Sequence, residues 1–279
     1  MQKETLRAGL FGRPLSRSLS PEVFGIFARL TGAAISYELR ETEASGLAAA
    51  IEAAQAEGWR GFNVTIPHKR AVLDLLNLAD PAARAAGAVN AVRFGRAGLE
   101  GLNTDARALL QAFEAHGVAV QGKTAAVFGA GGAAGAAGWA LGRSRAATVA
   151  ILARDSARAA ALAARLAECF PGTVFSAGPF EAPADKPDIA VNATPIGMYA
   201  AGAPPFAPGP ECVRADFAYS PGGTDFIRAA GPVSIDGLEL LVAQAALALK
   251  FWAGLPPGDI VKFSGEALGL LRARLAKGQ

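Results

Sequence analysis

The 279-residue chain carries 27 Lys/Arg against 24 Asp/Glu, a net charge of +3, with 52% hydrophobic and 18% charged residues. That content supports one large or two modest domains with a substantial core and excludes long disorder. No Lys/Arg run with interleaved aromatics occurs, which excludes a nucleic-acid surface, while the small positive balance suits anionic small ligands.

Cys169 and Cys212 stand far apart, as do His68 and His116, so neither a disulfide framework nor a structural zinc site is expected. Met1-Gln2-Lys3-Glu4-Thr5 lacks the apolar core of a signal peptide. The uncharged stretch Ala125 to Gly142 is broken by glycines like a buried α/β element rather than a membrane span. The expected setting is reducing and cytoplasmic, with no membrane partner.

In chain order, Leu6 to Gly12 reads as a strand that runs into a loop with Ser16, Ser18 and Ser20. Pro21 then opens a helix for which Ser20 is a suitable N-cap. Serines commonly cap helices and fill loops, so on the residues alone this cluster is no more than a candidate ligand site. Ile35 to Leu39 alternates like a strand, and Ser45 to Gly58 reads as a helix closed by glycine. A strand from Gly61, broken by Pro67, leads into a helix expected over Ala71 to Leu78, which puts Asn63, Thr65 and Lys69 at a β-to-α junction. Lysine in a first helical turn opposes the helix dipole, which argues against a bystander. Residues 80–87 read as a short helix. Ala88 to Phe94 and Leu99 to Asn103 form a hairpin around Gly95 and Gly98, and Asn103-Thr104-Asp105 caps a helix running to His116.

From Thr124 a new unit begins: an apolar run to Phe128, a turn through Gly129, Ala130, Gly131, Gly132 and Ala133, an Ala-rich helix, and a second apolar run over Ala147 to Leu152. Strand, glycine turn, helix and strand in this order are the first unit of a dinucleotide-binding fold. Gly129 permits the tight turn and Gly131 lets backbone N–H groups approach a pyrophosphate. Further strands are expected at Thr173 to Ala177, Pro187 to Ala193, Val213 to Tyr219 and Val233 to Ile235, with helices at Ser156 to Phe170 and Asp225 to Ala230. Two helices follow, Leu238 to Ala253 and Asp259 to Lys277. The expected architecture is therefore two-lobed α/β. One lobe, residues 1–103 with 237–279, is completed by the C-terminal helices around an inserted, doubly wound parallel-sheet lobe of Rossmann type, residues 104–236.

A nucleotide lobe beside a second lobe suggests hydride transfer, which demands a hydride from nicotinamide and a proton for the developing alkoxide. Lys69 is the better candidate for the proton beside His68, since a free lysine is protonated at neutral pH, and Asp105 is chosen as its carboxylate neighbour. After the second strand of the nucleotide unit, Arg154 and Arg158 suit a 2′-phosphate, which favours NADP over NAD; Asp155 either serves a ribose hydroxyl or caps the helix beginning at Ser156.

The blocks Gly12-Arg13-Pro14, Ser18-Leu19-Ser20-Pro21, Asn63-Val64-Thr65-Ile66-Pro67-His68-Lys69, Gly87-Ala88-Val89-Asn90, Asn103-Thr104-Asp105, Gly129-Ala130-Gly131-Gly132, Asn192-Ala193-Thr194-Pro195-Ile196-Gly197-Met198, Asp216-Phe217-Ala218-Tyr219 and Asp236-Gly237-Leu238 through Gln244, in this order, resemble the shikimate dehydrogenase family. The resemblance implies NADPH-dependent reduction of 3-dehydroshikimate to shikimate in aromatic amino-acid biosynthesis, by a monomer or homodimer. It assigns Lys69 and Asp105 as the catalytic pair. Ser18, Ser20, Thr65, Asn90 and Gln244 would hold the substrate's carboxylate and hydroxyls, with Tyr219 near the carboxylate. Gly129 to Ala133 would form the pyrophosphate loop and Arg154 with Arg158 the phosphate clamp, while Thr194, Met198 and Gly237 are assigned to the cofactor, the first two near the nicotinamide. Arg17 stands where the family often has histidine, and Ala153 and Asp155 where NADP-specific members commonly have asparagine and threonine. A quinate or dual quinate/shikimate dehydrogenase, possibly using NAD, is the alternative. A methylene-tetrahydrofolate-type dehydrogenase and a nucleotide-sensing protein without turnover are the more distant ones.

Overall fold

The structure, a computed structural model, describes residues 4–180, 186–200, 202, 209–229, 231–254 and 261–277. Its contacts divide the chain into two units, residues 1–104 with 242–279 and residues 105–241. The sequence-based bounds differ from these by one residue at the first crossing and five at the second.

The first unit contains β1 (Leu6–Gly12), α1 (Ser20–Thr31), β2 (Ile35–Glu41), α2 (Leu47–Ala56), β3 (Gly61–Val64), α3 (His68–Ala71), β4 (Leu78–Ala79), α4 (Pro81–Ala86), β5 (Ala91–Gly95) and β6 (Gly98–Leu102). Its sheet has the order β2-β1-β3-β5-β6-β4. β1 is parallel to both β2 and β3, whereas β5 pairs antiparallel with β3 and β6. Alternation along β1 and β3 sends Phe11, Phe62 and Val64 to one face, where they meet Leu47 and Ile51 of α2 and Trp59. Two expectations change here. The helix expected over Ala71 to Leu78 begins earlier, at His68, and ends in a 3₁₀ turn at Leu75, because Leu78 and Ala79 pair with Glu100 and Gly101 as an edge strand. Ser20 lies inside α1 rather than capping it.

The second unit runs from α5 (Thr104–Ala115) through β7 (Thr124–Phe128), α6 (Gly132–Arg143), β8 (Thr148–Leu152), α7 (Ser156–Cys169), β9 (Val174–Gly178), β10 (Ile189–Asn192), β11 (Val213–Asp216), α8 (Asp225–Arg228) and β12 (Ser234–Ile235) into α9 (Gly237–Ala253). Its strands are all parallel, ordered β12-β11-β10-β7-β8-β9. Counted from β7, that is the 3-2-1-4-5-6 order of a dinucleotide-binding sheet, with its switch point between β7 and β10. α6 and α7 cover one face, while Phe226 of α8 joins Phe128 and Ala190 on the other. The apolar run from Ala125 is thus strand, turn and helix, and no helix among the described residues is long and apolar enough to cross a membrane.

A last helix, α10 (Ser264–Lys277), follows a 3₁₀ turn at Val261–Phe263; the expected start at Asp259 lies outside the described residues. Within the first unit, Trp252 of α9 stacks on Phe24 at 5.5 Å between centroids and donates its indole N–H to the Val92 carbonyl at 2.8 Å. That packing needs Gly61 beneath it, where an added Cβ would lie 2.3 Å from Trp252 and 2.4 Å from the Val92 oxygen. Gly61→Ala is therefore expected to lower the unfolding free energy by about 1–3 kcal/mol, as overpacked cores do, read by urea denaturation followed through tryptophan fluorescence.

Candidate functional site

In the first unit the polar residues gather where β1 and β3 end and β5 begins. Asn63, buried at the end of β3, accepts the Tyr37 hydroxyl at 2.8 Å and donates to the Asn90 carbonyl at 2.8 Å. Asn90, also buried, makes a reciprocal pair with Thr104: its Oδ1 accepts the Thr104 N–H at 2.7 Å and its Nδ2 donates to the Thr104 hydroxyl at 2.8 Å. The same hydroxyl donates to Gln244 Oε1 at 3.4 Å. Two expected ligand residues, Asn90 and Gln244, are thereby joined through a third, Thr104, to which no role was given. A buried amide with its partners satisfied holds one orientation.

Lys69 is half-buried on the single turn of α3, and its carbonyl accepts the Val89 N–H at 2.8 Å, which ties it to the segment carrying Asn90. His68 beside it is fully buried, with Nε2 2.7 Å from the Thr42 carbonyl; that contact requires the proton on Nε2. Thr65 is half-buried and its carbonyl accepts the His68 N–H at 2.8 Å. In the loop after β1, the Ser18 hydroxyl accepts the Ser20 N–H at 3.3 Å, and Ser20 is buried in the first turn of α1. With its helix-capping task gone, the Ser20 hydroxyl needs another explanation.

In the second unit Asp105 is buried in the first turn of α5. Gly129 adopts φ +117°, and a Cβ there would stand 2.9 Å from the Ala193 carbonyl, so the turn admits glycine alone. At Gly131 a Cβ would meet nothing within 4 Å, and no side chain caps α6. The N–H groups at the start of this 12-residue helix, over Gly132 and Ala133, thus border open space, an anion cradle of the kind dinucleotides use. Ala130 precedes them, half-buried. Arg154 and Arg158 are exposed, and among the described residues neither guanidinium has an acidic partner. Asp155 caps α7, accepting the Arg158 N–H at 3.0 Å, which is one of the two roles its sequence position left open. Backbone donors for a pyrophosphate and guanidiniums for a further phosphate fit NADP.

A buried polar network closes the carboxyl ends of β10 and β11, where Asn192 and Asp216 are register partners. Asp216 Oδ1 accepts the Asn192 amide at 2.8 Å and the Ala218 N–H at 2.8 Å, and its Oδ2 accepts the Thr224 hydroxyl at 2.5 Å. Asn192 Oδ1 in turn accepts the N–H and hydroxyl of Thr194 at 3.0 and 2.7 Å. The Thr194 side chain therefore shapes its own loop. Met198 and Tyr219 are half-buried, and Gly237 is a glycine for packing, since a Cβ there would lie 2.2 Å from the Ala218 carbonyl. Sequence reasoning noted both motifs without linking them. The available signal was a polar residue ending each of two apolar strands.

Burial pushes the Asp216 carboxyl up to about 7 against the opposing hydrogen bonds from Thr224, Ala218 and Asn192. A raised value means the folded state holds the proton longer than the unfolded state, so this stabilisation is full below about 3.8 and is lost as pH rises through about 7. Asp216→Asn removes the titration. The stability of the wild type relative to this variant is expected to fall between pH 4 and 7 with a slope of at most about 1.4 kcal/mol per pH unit, measured by urea unfolding across that range.

Known proteins resemble this chain over nearly its whole length. Residues 10–92 match the family model for the shikimate dehydrogenase substrate binding domain. A shikimate dehydrogenase (NADP(+)) of Anaeromyxobacter sp. (strain Fw109-5) is 40% identical over 259 residues, covering 88% of this chain and 90% of that protein. The structure resembles that of shikimate 5-dehydrogenase from Thermus thermophilus in complex with NADP(H) and shikimate, with TM-score 0.81, 32% identity, and 97% and 99% of the two chains covered. It also resembles quinate dehydrogenase from Corynebacterium glutamicum in complex with NAD, with TM-score 0.82, 28% identity, and 95% and 99% coverage.

Proposed function

The chain belongs to the shikimate dehydrogenase family, and from that membership we propose that it catalyses the reversible NADPH-dependent reduction of 3-dehydroshikimate to shikimate. The observation that carries this reading is the placement of Lys69, which is fixed by its backbone to the segment whose Asn90 is locked onto Thr104 and, through it, Gln244. We assign residues 1–104 with 242–279 to substrate and residues 105–241 to cofactor.

When bound, NADPH supplies the hydride to the carbonyl carbon. The Lys69 ammonium donates a hydrogen bond to the carbonyl oxygen and passes its proton there as the alkoxide forms. Asp105 is assigned as the carboxylate that orients the amine. Ser18, Ser20, Thr65, Asn90, Gln244 and Tyr219 offer neutral donors and acceptors suited to a small hydroxylated acid. The N–H groups at the start of α6 receive the pyrophosphate, and Arg154 and Arg158 the 2′-phosphate.

Likeness to an NAD-bound quinate dehydrogenase supports quinate with NAD as the second reading. Initial rates with shikimate and quinate, each with NADP and NAD, are expected to be highest for shikimate with NADP; a maximum at quinate with NAD would select the other reading. Lys69→Ala is expected to lower kcat by about 10²–10⁴-fold with NADP affinity little changed, and turnover like the wild type would remove the lysine from the mechanism. For Arg154→Ala the expectation is a loss of NADP affinity of about tenfold or more with NAD nearly unaffected, whereas equal losses for both would remove the clamp.

A further inference from the structure

Asp216 is a carboxylate with no exposed surface, yet the chemistry assigned above does not use it. A buried carboxyl opposes folding unless its polar atoms find partners. Its surroundings show what it sets. Whether or not Oδ2 carries a proton, Oδ1 of the carboxyl accepts, so it obliges Asn192 to turn its NH₂ toward it, where the Ala218 N–H also points. The Asn192 carbonyl oxygen must then face the other way, where it receives the N–H and hydroxyl of Thr194. The Thr194 hydroxyl in turn accepts the Ile196 N–H at 3.2 Å, and Asn192 Nδ2 also reaches the Ile196 carbonyl at 3.1 Å. Gly197 at φ +93° completes the turn against Thr224, the residue on the other carboxylate oxygen. Reversing the Asn192 amide would bring its NH₂ against the Thr194 N–H and its oxygen against the carboxylate.

We propose that Asp216 is a positioning residue which, by fixing the orientation of the Asn192 amide, sets the backbone of Thr194 to Met198 in the cofactor unit. This rests on the reading of residues 105–241 as that unit and goes beyond it. The residue's contribution lies in the two bonds at Oδ1, so a neutral side chain that keeps an oxygen in that place retains it. The amide introduced by Asp216→Asn would do so, with its own NH₂ turned to the Thr224 hydroxyl; alanine would not.

The test compares the wild type, Asp216→Asn, Asp216→Ala and Asn192→Ala by hydrogen exchange over residues 193–198, by kcat and KM, and by thermal unfolding. Both alanine variants are expected to exchange at least tenfold faster in this segment and to lose about 10–100-fold in kcat, as supporting partners of a site do, with KM for shikimate within threefold. Asp216→Asn is expected to stay near the wild type in both. Should Asp216→Ala fail to fold, Asn192→Ala carries the same comparison with the carboxylate in place. Unchanged exchange or unchanged kcat in the alanine variants overturns the proposal, as does an Asp216→Asn variant that loses activity and melting temperature together like the alanine forms. If the wild type itself turns over no shikimate, the functional reading fails separately, while exchange still decides whether Asp216 sets the segment.

Discussion

The interaction on which the first unit depends is the reciprocal pair between the Asn90 amide and Thr104, with contacts of 2.7 and 2.8 Å. It closes a polar chain that starts at the Tyr37 hydroxyl, passes through Asn63 and ends at Gln244. At its centre the Asn90 carbonyl and the Thr104 N–H, backbone groups just outside the strands, are met by the Asn63 and Asn90 side chains. The neighbouring Val89 N–H holds the Lys69 carbonyl, which makes the lysine's position a property of this framework rather than of its own single helical turn. A four-residue helix could not hold it alone.

The second unit applies the same economy at a parallel sheet. All six strands deliver their carboxyl ends to one edge, and there Gly129, Gly131 and the uncapped start of α6 leave backbone donors facing outward. On the adjoining strands the opposite solution appears: Asn192 and Asp216 turn their polar groups inward and satisfy one another. One part of the edge leaves backbone donors open, as a phosphate site requires, and the other is closed on its own hydrogen bonds.

Much of this was legible in the sequence. The glycine turn from Gly129 to Gly131 announced itself because its residues have few conformational substitutes, and the alternation of apolar runs with Ala/Leu helices pointed to the parallel sheet. The hairpin at Gly95 and Gly98 was visible for similar reasons, with Gly98 at φ +104°. What stayed hidden depended on partners far along the chain. Leu78 and Ala79 continue a helical-looking run and become a strand only because β6 lies alongside. Ser20 has the composition of an N-cap, but the helix starts one residue early. The bond between Asn192 and Asp216, and the joining of Asn90 to Gln244 by Thr104, require strand order and register that no local pattern contains.

The first unit is assembled from two pieces of sequence, residues 1–104 and 242–279, with the entire second unit between them. Trp252, which seals the face of the sheet over Gly61 and bonds to Val92, is made 160 residues after its acceptor. At typical synthesis rates the nascent N-terminal sheet therefore waits on the order of 10 s for its lid, while the intervening sheet, whose strands are contiguous, can already be complete. During that interval Phe24 and Gly61 lack the ring that packs on them in the finished fold.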